Sequence, residues 1–168
     1  RTIWLSESVR DLAHDLPPDV LRYAGLAASL TSYCNGLSLS QGLAVSCSTQ
    51  GDFESITPEA ALCLYRIAQE ALHNVVKHAH AHEAKVLLLR TGDTAELTIA
   101  DDGKGFDIQT RGNGAGIGLV SITERARFLK GTTSIVTTLN KGTEIQVRIP
   151  INASTTTDAG ELSEHVAA

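Results

Sequence analysis

Residues 57–107 read TPEAALCLYRIAQEALHNVVKHAHAHEAKVLLLRTGDTAELTIADDGKGFD, and the fold is decided here. Thr57-Pro58-Glu59 opens a helix. A threonine hydroxyl caps the first free N–H groups, and proline is preset for the first helical position. The helix runs through Ala60 to about Ala79 without an internal glycine or proline. Two strands follow directly. Lys85–Arg90 is a short apolar run. Glu96–Asp101 alternates, with Leu97, Ile99 and Asp101 on one side and Glu96, Thr98 and Ala100 on the other. A helix followed by neighbouring strands departs from the strict strand–helix alternation of a doubly wound nucleotide fold.

Working outward, Asp102–Ala115 is rich in glycine and polar residues and reads as loop. Gly116 to about Lys130 reads as a helix ended by Gly131. Thr133–Leu139 and Thr143–Ile151 read as strands joined by Asn140-Lys141-Gly142, a hairpin signal. Towards the N-terminus, Leu43–Cys47 is a short strand. Before it, the pattern predicts a helix from Asp19 to about Cys34, stopped by Asn35-Gly36, with Val20, Leu21, Ala24, Ala27, Ala28 and Leu30 as its apolar set. Trp4, Leu5, Val9 and Leu12 mark a first helix that Pro17 and Pro18 interrupt. From Asn152 the residues are small and polar and read as a disordered tail. The expected fold class is α/β: a two-layer sandwich, its mixed, largely antiparallel sheet covered by helices on one face.

The 168 residues suit one domain with a short appendage and can bury a real core. Fourteen Lys and Arg against 19 Asp and Glu, with no basic run, argue against nonspecific nucleic-acid binding. No apolar run approaches the ~20 residues that span a bilayer, and no secretory signal pattern opens the sequence. Cys34, Cys47 and Cys63 have no CxxC spacing, so neither a disulfide framework nor a zinc site is expected. They read as small buried hydrophobes in a reducing compartment.

Four stretches carry chemistry. On the long helix, Glu70, Asn74, Lys77 and His78 fall within an arc of roughly 100°, opposite the core set Leu64, Ala68, Ala71, Leu72 and Val75. A carboxylate beside an amide oxygen suits Mg²⁺, and a lysine one turn on can neutralise phosphate. Any amphipathic helix has a polar face, so this set alone does not decide. In DDGKGFD, Asp101–Asp107, parity turns Asp101 towards the core, where a carboxylate is costly unless hydrogen bonds reach it. An adenine amino group is such a donor. Gly103 and Gly105 let the chain turn sharply and a planar ring approach the backbone. In GNGAGIGLVSI, Gly112, Gly114, Gly116 and Gly118 feed a helix carrying Leu119, Ile122, Ala126 and Leu129, an arrangement that presents N–H groups to phosphate. Its spacing is neither a P-loop nor a dinucleotide fingerprint. In KGTEIQVRIP, Thr143 shares parity with Ile145, Val147 and Ile149, so its hydroxyl faces inward.

EALHNVVKHA, DDGKGFD, GAGIGLVSI and KGTEI, in this order and spacing, resemble the N box and the three glycine boxes of the histidine-kinase catalytic domain. That domain belongs to the ATPase group of gyrase, Hsp90, histidine kinases and MutL. The resemblance covers about Thr57 to Ile151, and LxxIxERAxxLxG, Leu119 to Gly131, looks most like the nitrate-sensor and DesK-like subfamily. It implies a Bergerat-type sandwich with a mobile ATP lid at about Lys104 to Ala115, binding ATP and Mg²⁺. Asn74 looks like the Mg²⁺ ligand with Glu70 as its acidic companion, and Lys77 and His78 look like phosphate contacts. Asp101 looks like the reader of the adenine amino group, beside Gly103 and Gly105. Gly114, Gly116 and Gly118, leading into Leu119, look like the lid hinge and phosphate loop, and Thr143 like an adenine-side hydroxyl. Of these, Glu70, Asn74 and Lys77 are the implied catalytic set.

VRDLAHDLPPDVLRYAGLAASL is similar to the end of that subfamily's dimerisation domain and its connection to the catalytic domain. The expected organisation is a helical connector at 1–35, an ATP-binding domain at 36–151 and a tail at 152–168. His14 lacks the Glu-Leu of an acceptor box and meets Pro17-Pro18 too soon for a long bundle helix, so it reads as a connector histidine. His73, His78, His80 and His82 lack i, i+4 ligand spacing for the most part and read as solvated or phosphate-proximal. The implied protein is a fragment of a two-component sensor histidine kinase. Its γ-phosphate acceptor is a histidine on a dimerisation domain outside this sequence, and its partners are a second copy and a response regulator, in the cytoplasm. A serine kinase of the same group, or a nucleotide-binding module without catalysis, carries the same boxes.

Overall fold

The computed structural model of the chain describes residues 19–106 and 117–151. Helix α1 spans Asp19–Gln41, strand β1 Ala44–Gln50 and helix α2 Pro58–Asn74, the last prolonged by a π turn over Val75–Ala79. Strands β2 (Glu83–Thr91) and β3 (Thr94–Asp101) follow, then helix α3 (Ile117–Phe128) and strands β4 (Thr132–Thr138) and β5 (Gly142–Pro150). The expected first helix, His14, the segment 107–116 with Gly112, Gly114 and Gly116, and the tail from 152 lie outside the described residues.

The five strands form one sheet in the order β1-β2-β3-β5-β4, parallel between β1 and β2 and antiparallel elsewhere. Burial follows the period of two. Ala84, Val86 and Leu88, then Ala95, Leu97 and Ile99, then Ile145, Val147 and Ile149 are buried. The opposite face is mostly polar, with Leu87 and Leu89 half-buried on it, and there Glu96 accepts from Arg148 Nε and Gln146 Nε2, both at 2.6 Å. One apolar face can be covered from one side only, and α1, α2 and α3 cover it, as expected of a two-layer sandwich. Leu64, Ile67, Ala68, Ala71 and Leu72 of α2 are buried against the sheet. A fully buried leucine or isoleucine contributes about 1.5–3 kcal/mol. Thr57 caps α2, its Oγ1 accepting from the Ala60 N–H at 3.3 Å, with Pro58 in the first turn.

Helix α1 differs from the expectation twice. It runs through Asn35-Gly36 to Gln41, and Gly42, at φ 67°, supplies the left-handed turn that stops it. Its backbone also breaks at Gly25, φ 79°, which rephases the helix. Its buried stripe is therefore Leu26, Leu30 and Cys34, while Ala24 and Ala28 are exposed. Tyr33 meets Tyr65 of α2 edge to face, ring centroids 6.0 Å apart. Strand β1 lies further along the chain than Leu43–Cys47. Helix α3 stops at Phe128 through a left-handed Lys130 (φ 57°), with the Gly131 N–H reaching Ala126 O at 2.9 Å and the Lys130 N–H reaching Arg127 O at 2.9 Å. Gly131 is present for space: a Cβ there would lie 2.5 Å from Arg148 O and from Ile149 Cγ2.

Candidate functional site

Asp101 is the last residue of β3, on the face of the buried Leu97 and Ile99. Its register partner across the sheet is Thr143 of β5, whose own partner on β4 is Thr137. The two neighbours of Thr143 in its sheet row thus bring a carboxylate and two hydroxyls together at one end of the sandwich. Asp101 Oδ1 accepts from the Gly103 N–H at 2.8 Å, and the Thr143 backbone N–H also donates to this carboxylate. Burial pushes the Asp101 carboxyl up from its ordinary value. The two N–H groups pull against that shift, and the neighbouring Asp102 adds to it.

The glycines beside Asp101 are fixed by close approach. A Cβ on Gly103 would strike the Ala79 carbonyl and lie 2.8 Å from Asp101 Oδ1. The next N–H, of Lys104, donates to Ala79 O at 2.7 Å and ties the end of β3 to the end of the π turn. Gly105, at φ 56°, abuts the Thr138 carbonyl and lies 2.9 Å, by its would-be Cβ, from Gly142 O. Asp102 turns the other way. Its Oδ1 accepts from the N–H groups of His82 (2.8 Å) and Glu83 (2.9 Å), and these bonds hold its carboxyl below the usual value.

The second half of the site lies where α2 ends. Glu70 and Asn74, one turn apart, are half-buried beneath the first turn of α3. A Cβ on Gly118 would collide with Glu70 Oε1 and come within 2.9 Å of Asn74 Nδ2 and 3.1 Å of Asn74 Oδ1, so only glycine lets the two helices meet here. Asn74 Nδ2 is buried with no hydrogen-bond partner, an uncommon expense for a polar atom. Leu119 is half-buried behind Gly118 and packs on the core.

From Val75 the α-helical period gives way to the wider π turn, ending at a left-handed His80 (φ 52°). The Val75 N–H is shared between the carbonyls of Ala71 and Leu72. Lys77 and His78 fall in this π turn, beyond the α-helical stretch that carries Glu70 and Asn74. Both are exposed on the turn that connects Asn74 to the Ala79–Gly103 contact. Asp101, Gly103, Gly105 and Thr143 thus cluster at the strand ends and Glu70, Asn74 and Gly118 where α2 meets α3, and the π turn runs from Asn74 to the Ala79–Gly103 contact.

A half-buried carboxylate beside inward hydroxyls, and an amide–carboxylate pair under the start of a helix, are chemistry that a base and a phosphate-bound cation can use. The family model described as histidine kinase-, DNA gyrase B-, and HSP90-like ATPase matches residues 59–153, more than half of the chain. The chain belongs to this ATPase family. Among its curated relatives, the sensor histidine kinase MctS of Rhizobium johnstonii is 33% identical over 150 residues, which are 88% of this chain and 32% of that protein. The oxygen sensor histidine kinase NreB of Staphylococcus carnosus is 31% identical over 147 residues, 88% of this chain and 42% of that protein. The chain thus spans well under half the length of these relatives. Among solved structures, the histidine kinase domain of the Erythrobacter litoralis EL346 blue-light activated histidine kinase superposes with a TM-score of 0.60 at 22% identity, covering 75% of this chain and 65% of that one. The Acinetobacter baumannii histidine kinase AdeS does so at 0.58 and 14% identity, covering 77% and 65%. At such identities these two show the shared fold.

Within this ATPase domain, sequence reasoning passed over Thr137 and Phe106. The Phe106 N–H donates to Thr137 Oγ1 at 3.0 Å, the Thr143 hydroxyl lies 3.2 Å from Thr137 Oγ1, and the carbonyls of Phe106 and Gly142 lie 3.3 Å from it. The parity of Thr137 with Ile135 was the available signal. The cysteines also depart from expectation: only Cys34 is buried, while Cys47 and Cys63 are half-buried.

Proposed function

We propose that the chain is the ATP-binding catalytic domain of a two-component sensor histidine kinase of the nitrate-sensor and DesK-like kind. On this reading residues 1–35 connect it to a dimerisation domain, residues 36–151 hold the nucleotide, and the γ-phosphate passes to a histidine of a dimeric partner domain and onward to a response regulator in the cytoplasm. The observation that carries it is the pairing of Asp101 with Thr143 at the strand ends, tied through Gly103 and Lys104 to Ala79 at the end of the π turn that prolongs the helix of Glu70 and Asn74.

Asp101 and Thr143 accept from the base, and Gly103 and Gly105 hold the chain beside them close against Ala79 and Thr138. The residues fit a divalent ion: Asn74 Oδ1 and a Glu70 oxygen are hard donors, and an Asn74 whose Nδ2 has no partner leaves its amide free to orient towards a ligand. When bound, Mg·ATP supplies the transferable phosphoryl group and the charge neutralisation that its phosphates require. Lys77 and His78, exposed on the π turn, lie within the stretch that binds phosphate on this reading. Glu70 orients or deprotonates the incoming nucleophile. Gly114 and Gly116, with Gly118 in the first turn of α3, contribute N–H groups to the phosphates.

The test is displacement of a fluorescent ATP analogue, with Mg²⁺ or with EDTA. Asp101→Asn is expected to lower ATP affinity about 10–100-fold, the worth of one charge-assisted hydrogen bond. Asn74→Ala is expected to abolish the Mg²⁺ dependence. Equal binding by wild type and Asp101→Asn removes the assignment of the base site.

A further inference from the structure

Thr137 makes bonds that reach beyond its own strand, and proton counting gives them a direction. A threonine hydroxyl has one proton and two lone pairs. Two carbonyl oxygens, of Phe106 and Gly142, lie 3.3 Å from Thr137 Oγ1, and a carbonyl only accepts. The single Thr137 proton therefore goes to one of them. The Phe106 N–H, at 3.0 Å, only donates and takes one lone pair. The remaining neighbour, Thr143 Oγ1 at 3.2 Å, meets the other lone pair, so in this contact Thr143 donates. Its proton is committed inward to Thr137, and what Thr143 presents beside Asp101 is lone pairs.

We infer that Thr137 is a specificity-positioning residue: by taking the Thr143 proton it leaves Asp101 and Thr143 as a pair of acceptors, matched to a base with an exocyclic amino group and mismatched to one with a carbonyl there. The inference rests on the ATP-site reading above. It concerns purine nucleotides that differ at that one position, the amino-bearing adenine and the oxo-bearing hypoxanthine. Thr137 touches neither base. It acts through Thr143, and through the Phe106 backbone that fixes where the chain leaves Gly105.

The experiment is competition of ATP and of ITP against a fluorescent ATP analogue, with the whole chain in Mg²⁺. Thr137→Val keeps the shape and removes the hydroxyl. Its Thr143 proton is released and can be offered to the base. ATP affinity is expected to fall about fivefold, one neutral hydrogen bond, while ITP affinity holds or rises, so the preference for ATP narrows. Thr137→Ser is expected to restore the wild-type preference. In a Thr143→Val background, Thr137→Val is expected to leave the preference unchanged, because it has no hydroxyl left to orient. Should Thr137→Val not fold, Thr143→Val carries the test alone: losing an acceptor weakens ATP and spares ITP. A loss of ATP and ITP affinity in equal proportion means that Thr137 is only structural, and an unchanged ATP preference in the folded variants overturns the inference. Failure of the wild-type chain to bind ATP overturns the underlying reading instead.

Discussion

At the scale of single residues, the energetics of the site concentrate on Asp101. Partial burial disfavours its charge, and bonds from Gly103 and Thr143 only partly offset that, so its carboxyl titrates above the ordinary 3.8. A base amino group needs the charged form. As pH falls through this raised value the carboxylate is lost, and base affinity falls with it. The expected result is that adenosine, which has no phosphate to titrate, binds more weakly as pH is lowered towards 4, with the loss beginning above 3.8, while Asp101→Asn keeps only the smaller loss that protonation of the adenine ring itself brings at the acid end. Calorimetric titration across that range measures it, and a wild-type loss no larger than that of Asp101→Asn counts against the assignment. The cysteines provide a second residue-scale outcome. A hydrogen bond from the Cys34 thiol, aided by Thr31, brings Cys47 down to about 7, whereas burial pushes Cys63 up to about 11. The Thr31 hydroxyl lies 3.9 Å from Cys47 Sγ. Cys34, fully buried and donating to Cys47, is raised. Iodoacetamide at neutral pH is expected to label Cys47 first, read by peptide mass spectrometry; first labelling at Cys34 or Cys63 contradicts it. Neither outcome is visible in composition, because the Cys34–Cys47 contact joins α1 to β1. The facing of Asp101, by contrast, was legible from Leu97 and Ile99 alone, since a strand repeats every two residues. Thr137 was legible only in part: in TTSIVTT parity with Ile135 leaves Thr133 and Thr137 equivalent until the hairpin register sets one of them opposite Thr143.

At the scale of elements, the strands and α2 were readable because capping, alternation and apolar runs agree locally. The errors fell where local punctuation has several solutions. Gly36 and Gly42 both look like helix stops, and only packing of Leu37 and Leu43 against the core decides for Gly42. The π turn leaves no mark in VVKHA, since its cause is the docking of Ala79 against Gly103 and Lys104 across the sandwich. The contact between α2 and α3 has the same non-local origin, and it yields a prediction. In an isolated helix, Gly118→Ala would stabilise by about 1 kcal/mol. Here the new methyl meets Glu70 and Asn74, so α3 must move away from them. Mg·ATP affinity is expected to fall at least tenfold in Gly118→Ala with the circular dichroism spectrum retained. Unchanged affinity means that the start of α3 has no part in the site.

At the scale of the whole molecule, Asp101 and Thr143 hang from the sheet and Glu70 and Asn74 from α2, so a nucleotide held by both sets bridges the two layers of the sandwich. Among the described residues no helix is long and apolar enough to cross a membrane, and the core beneath the site is continuous from Leu26 to Ile151. A ligand that binds only the assembled layers stabilises folding through mass action, by about 2.7 kcal/mol at a hundredfold excess over Kd. For a chain of this size each kcal/mol raises Tm by about 2–4 °C. Mg·ATP is therefore expected to raise Tm by roughly 5–10 °C, and Asp101→Asn and Asn74→Ala should each lose most of that shift. The two variants discriminate between a bridging ligand and one held by a single layer, because a single-layer ligand would remain sensitive to only one of them. Kinase chemistry makes a further demand on the same sample. No acceptor box accompanies His14, so the chain is expected to bind labelled ATP and yet carry no stable, acid-labile label of its own. Label retained by the chain would place a phosphoacceptor within these 168 residues and remove the need for a separate acceptor domain.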